Sequence, residues 1–126
     1  MFEMLEHLMN PCYFLHELSS KMNVKYLLIT VPYLKKSRIG LHHIRNVGEN
    51  KVFAENTHIF ELCPADWKLL VQHSGWQILH EKIYLQYPKY GLLRITQPLW
   101  KRFDFEGFYG LILKRDDTWS SKYLDW

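Results

Sequence analysis

Near the start of the chain, Glu3, Glu6 and His7 form the pattern E-x-x-E-H. On a helical turn, positions i, i+3 and i+4 share one face, so two carboxylates and an imidazole would converge there. Such groups are competent ligands for a divalent ion, and they serve equally as cleft-lining or locally hydrogen-bonded side chains. His58, in the stretch Thr57 to Glu61, comes from the segment that leads to a second predicted helix.

Other chemistry is thinner. His42 and His43 are adjacent in a loop, an arrangement that usually faces solvent. Lys35, Lys36, Arg38 and Arg45, interleaved with Tyr33 and His43, suit either an anionic substrate (a phosphorylated sugar, a lipid head group, an RNA end) or a solvated charged loop. Trp100, Phe103, Phe105, Phe108 and Tyr109 read as sheet packing before base stacking. Cys12 and Cys63 lack the basic neighbour that marks a catalytic thiolate, and nothing beyond residue types supports a Ser-His-Asp arrangement.

The elements that must position these groups follow from capping and periodicity. Asn10-Pro11 reads as an N-cap with proline at the first helical position, and Phe14, Leu15, Leu18 and Met22 share a face, which predicts a helix over 11–22. The run Tyr26 to Val31, closed by Pro32, has the continuous apolar character of a strand covered on both faces, as in a parallel sheet. Residues 32–57 carry no sustained period and read as a long loop with at most a short helix or hairpin. Pro64 opens a second helix with Asp66 in its first turn, Trp67, Leu70 and Val71 inward, and Gly75 as C-cap. Cys63 stands where a better cap would be, which weakens that end by ~1 kcal/mol. Trp76 to Tyr87 reads as a strand with a bulge near His80 to Lys82, residues 88–106 as irregular, and Phe108 to Leu113 as a last strand before a polar tail. No crossover helix separates the last two strands, so they should pair antiparallel.

Composition bounds the answer. The chain has 126 residues, 48% apolar and 23% charged, which fits one modest domain and excludes disorder or collagen-like repeats. Sixteen basic against thirteen acidic residues give +3, too little to argue for nucleic acid without a clustered patch. Two distant cysteines suggest neither a disulfide scaffold nor a cysteine zinc site, and a reducing cytoplasm is the expected compartment. The acidic N-terminus is no secretory signal, and the longest apolar run falls far short of a bilayer span, so no membrane is expected.

The segment FEMLEHLMNP, residues 2–11, followed by LLITVP, residues 27–32, resembles the second half of class I S-adenosylmethionine-dependent methyltransferases. There a strand ends in a similar LEH-containing segment, a helix follows, and the next strand ends in a proline turn. Asn56 to Glu61, Pro64 to Trp67 and Ser74-Gly75-Trp76 resemble the stretch leading into the family's sixth strand, and Phe108 to Leu113 would be its antiparallel seventh. The resemblance implies an α/β fold: the C-terminal half of a Rossmann-like methyltransferase sheet, a parallel strand plus an antiparallel terminal pair, flanked by helices. Residues 1–126 would form a partial domain from the end of strand 4 to strand 7, without the cofactor-binding N-terminal half. The family's glycine-rich turn is missing, since no G-x-G occurs anywhere, so S-adenosylmethionine is implied as cofactor but binding by this chain alone is not expected.

The E-x-x-E-H pattern is also similar to that of the small-RNA 3′-terminal 2′-O-methyltransferases and of ubiquinone-pathway O-methyltransferases. In the former, this set and a later histidine hold magnesium beside the acceptor hydroxyls. Carried over, Glu3, Glu6, His7 and His58 would be metal ligands, with His7 or His58 as base. The first functional expectation is thus methyl transfer to oxygen or nitrogen of a small or anionic acceptor, by the acceptor-side half of the fold. The alternative is a non-catalytic remnant or interaction module. An RNA-binding domain, with scattered aromatics behind it, is the third. A half-sheet would also bare an apolar strand edge at Tyr26 to Val31, so self-association or poor solubility is expected.

Overall fold

The structure, a computed structural model, describes residues 1–39, 58–85, 95 and 107–123. Helix α1, Pro11–Lys21, begins as its sequence dictates: the Asn10 side chain accepts a hydrogen bond from the Tyr13 amide at 3.0 Å. Strand β1, Tyr26–Pro32, is followed by the two-residue β2, Arg38–Ile39, which pairs antiparallel with β3, Phe60–Glu61. Helix α2 spans Pro64–His73, β4 Trp76–Leu85 and β5 Gly107–Arg115. Single turns of 3-10 helix lie at Leu5–His7 and Ser120–Lys122.

The main sheet has the order β1-β5-β4, and both pairings are antiparallel. This corrects the parallel strand expected at Tyr26 to Val31. A continuous apolar run reports how much of a strand could be covered, not the direction of its neighbour. Here β5 lies between β1 and β4 and takes up the whole length of β1 in antiparallel register, from Tyr26 opposite Lys114 to Pro32 opposite Phe108. The parallel component among the described residues is one bridge, between Phe2 and Thr30. Met1 to Glu3 lie along the other edge of β1: the Met1 amino group donates to the Leu28 carbonyl at 2.8 Å, and the Glu3 amide to the Thr30 carbonyl at 3.0 Å. The pairing of the last two strands is antiparallel as their connection required, and the bulge falls at Leu79, where register shifts between Ile78 and His80.

The core lies between one face of this sheet and the two helices. Ile29, Val31, Tyr109, Leu111 and Leu113 of the strands meet Leu15 of α1 and Trp67 and Val71 of α2. Three aromatic side chains are fully buried here, Trp67, Trp76 and Tyr109. Cys63 at the N-cap of α2 makes no side-chain cap bond; its amide instead donates to the Ser37 hydroxyl at 2.8 Å. No helix among the described residues is long and apolar enough to cross a membrane.

Gly75 ends α2 with φ +92°, where only glycine is unstrained. An added Cβ would also lie 2.6 Å from the Ser19 hydroxyl oxygen, itself bonded to the Ser74 carbonyl at 3.1 Å. Gly75→Ala should therefore cost roughly 1–3 kcal/mol in urea unfolding. Adding Ser19→Ala should recover only part of that loss, because the backbone strain stays; full recovery would assign the whole effect to the clash.

Candidate functional site

Glu6 and His7 sit on the 3-10 turn Leu5–His7, between β1's edge and α1. The turn is reached through Glu3, whose φ of +45° bends the chain away from the Phe2–Thr30 bridge. A left-handed conformation costs a non-glycine residue roughly 1–2 kcal/mol, a strain typical of functional segments. The turn is tied to the residue after His58 by a backbone bond: the Ile59 amide donates to the Glu6 carbonyl at 2.7 Å. That bond helps to hold a segment some fifty residues distant on the E-x-x-E-H turn.

The result is a cluster in which Glu6, His7 and His58 each offer a ligand atom within 4.8 Å of the others. The His7 and His58 rings meet edge to face with centroids 4.7 Å apart, and His7 Nε2 lies 3.8 Å from Glu6 Oε1. Glu6 is fully buried, and neither of its carboxylate oxygens has a hydrogen-bond partner. Burial raises its pKa above the ordinary carboxylate value, with Glu3 adding to the push; the two histidines pull only partly the other way. Glu3 stands outside the three-residue group, with its Oε1 buried and unpartnered.

Glu61, to which the sequence reading assigned no role, is the residue that orients His58. Its Oε1 is 3.1 Å from His58 Nδ1, and its other oxygen accepts from the Arg38 guanidinium across the short β2–β3 ladder. With Nδ1 so engaged, Nε2 is the His58 atom left to face the cluster, the carboxylate–histidine arrangement common behind metal ligands. The signal was present in the sequence as an i, i+3 spacing; what it lacked was Arg38, brought in from β2.

Beside the cluster opens a cleft of about 210 Å³, lined by Glu3, His58 and Glu61 together with Arg38, Tyr33 and Phe108. Wider hollows occur elsewhere, but the titratable cluster borders this one. Of the loop cations, Arg38 thus reaches the site, while Lys35 and Lys36 are exposed. His42, His43, Arg45, Trp100, Phe103 and Phe105 lie outside the described residues. Tyr109 is core, its hydroxyl bonded to Glu81, and this contact together with burial holds its pKa far up. Cys12 and Cys63 are free thiols; Cys12 accepts a hydrogen bond from the Ser74 hydroxyl, and Cys63 contacts the Asp66 carboxylate.

No family model and no curated protein matches the chain. Among solved structures it is similar to the [4+2]-cyclase SpnF, with a TM-score of 0.53 and 10% identity, over 91% of this chain and 48% of that one. The chain thus spans about half the length of that structure, and at this identity the likeness is one of fold alone; this chain's own arrangement is mixed α/β with a mostly antiparallel sheet among the described residues.

Proposed function

We propose that the chain is the acceptor-side half of an S-adenosylmethionine-dependent methyltransferase, with Glu6, His7 and His58 holding a divalent cation beside an acceptor oxygen or nitrogen. The observation that carries this reading is the Glu6 carboxylate, fully buried, unbonded at both oxygens and flanked by two imidazoles. An ionised carboxylate so placed costs several kcal/mol, on the order of a buried ion's effective desolvation penalty, until a cation neutralises it. Two imidazoles and one carboxylate are softer than the all-oxygen set magnesium prefers, so the donors favour manganese over magnesium. Bound there, the ion would supply Lewis acidity that lowers the pKa of an acceptor hydroxyl.

The chain's own residues do the remaining work on this reading. Glu61 fixes the His58 ring, the cleft beside it admits the acceptor, and Arg38 and Phe108 line that cleft as a cationic and an apolar contact. The methyl donor is a separate matter. A nucleoside cofactor needs a glycine-rich turn for close backbone approach, and the described glycines stand instead at the end of α2 and within β5. The described residues therefore do not fit the donor, which on this reading is held by polypeptide outside them.

Calorimetry and thermal melting of the full chain test both halves of the reading. Manganese should raise the melting temperature, by the equivalent of about 2.7 kcal/mol when the ion is at a hundred times its dissociation constant. His58→Ala should remove most of that response. An equal response in parent and variant removes the metal site, and micromolar binding of S-adenosylmethionine by the parent chain overturns the assignment of the donor to other polypeptide.

A further inference from the structure

Among the described residues, the main sheet is covered on one face only. Helices α1 and α2 take the side carrying Ile29, Val31, Leu111 and Leu113. By register the other side carries Leu28 opposite Ile112, and Tyr84 and Tyr26 near opposite corners. These four are 48%, 39%, 50% and 53% exposed. An antiparallel sheet with one wet face normally turns polar side chains outward. An aliphatic centre there is the mark of a surface that another element covers.

Three observations say what covers it. Two strand spacings make the face about 10 Å wide, the diameter of one α-helix. At Gly110 the face carries no side chain, and the Tyr84 ring lies against it, where a Cβ would come within 3.2 Å. Its strand positions carry lysines: Lys82 and Lys114 stand on it, Lys82 5.0 Å from the Tyr84 ring centroid, with Lys25 beside Tyr26 at 5.4 Å, and Asp116, just past the end of β5, interacts with Lys114 at the rim. No strand position on this face carries a carboxylate; Glu81 turns to the helix side, where it meets Lys68 and Tyr109. A second copy stacked face to face would set lysines against lysines. Single-stranded nucleic acid would favour aromatic platforms at the centre, where this sheet has Leu28 and Ile112.

The geometry points to a docking face for one amphipathic α-helix of a partner protein, with an aliphatic stripe flanked by Asp and Glu. The assignment is independent of the Glu6 cluster. The test uses two labelled helical peptides of roughly 18 residues, about five turns, with one leucine stripe flanked by glutamates or by lysines. Each is titrated into the full chain and followed by anisotropy. The glutamate peptide should bind at least ~10-fold tighter, a difference readily resolved in dissociation constants. Ile112→Asp should abolish binding, and Lys82→Glu with Lys114→Glu, at exposed positions that spare the fold, should reverse the preference.

Equal affinity for the two peptides, or binding of neither, overturns the proposal. So does a sedimentation dimer that Ile112→Asp dissociates, which would make a second copy the occupant. A uridine oligonucleotide that binds the parent and is lost with the paired lysine changes would assign the face to nucleic acid instead.

Discussion

Glu6→Gln is expected to melt higher than the parent chain in metal-free buffer at neutral pH, and to lose most of the manganese response. The substitution keeps shape and removes a charge that the fold holds buried without a hydrogen bond to either oxygen. The gain should be on the order of 1 kcal/mol, the lower end of the penalty for an unsatisfied buried polar group. In a domain of this length that is roughly 3–6 °C in melting temperature.

The pH dependence has a definite sign. Burial raises the folded-state pKa of Glu6 above the ordinary value of 4.5. The stability this contributes is present below the unfolded pKa and is lost as pH rises through the folded one. The advantage of the Gln variant should therefore be absent at acid pH and should open upward from about pH 4.5. Saturating manganese should reverse the order of the two proteins at neutral pH, since the ion stabilises only the chain that binds it. A variant that melts with the parent at every pH would mean that Glu6 is not held charged in the fold.

The second large effect is expected at Trp76. This side chain is fully buried at the start of β4, and its indole N–H donates to the Leu15 carbonyl of α1 at 2.9 Å. One residue thus packs the sheet against the helices and pins itself to α1 by a hydrogen bond. Trp76→Ala removes both contributions and should cost about 3–5 kcal/mol, a large share of the roughly 5–15 kcal/mol a domain possesses. Trp76→Phe keeps most of the apolar contact but loses the indole hydrogen bond, for about 0.5–1.5 kcal/mol, the Leu15 carbonyl keeping its bond within α1. Trp67 supplies the control: it is equally buried, but its indole N–H has no partner. Trp67→Phe should cost less than Trp76→Phe in chemical denaturation, and the opposite order would show that the Trp76 bond contributes nothing.

Much of the fold was legible because its signals are local. Asn10-Pro11, Pro64 and Gly75 punctuate both helices within a residue or two of their observed ends, since caps and left-handed backbone act over single turns. The E-x-x-E-H spacing likewise pointed to Glu6 and His7, which a single turn does present together. Glu3 parted from them because the chain reverses its backbone sense at that residue, a choice made by the bridge of Phe2 to Thr30 rather than by local preference.

By itself, then, the sequence determined the two helices, three of the strands, the antiparallel closing pair and the identity of the ligand-type residues. Each depends on neighbours within one or two turns, or on the length of a connection. Only the tertiary structure decided that β5 lies between β1 and β4, that the described residues leave one sheet face open, and that Arg38 and Glu61 fix His58 against a buried Glu6. Those outcomes depend on which distant segments exclude water from one another. Strand hydrophobicity carries no direction, and the pKa of a carboxylate is set by surroundings that its own sequence neighbours do not supply.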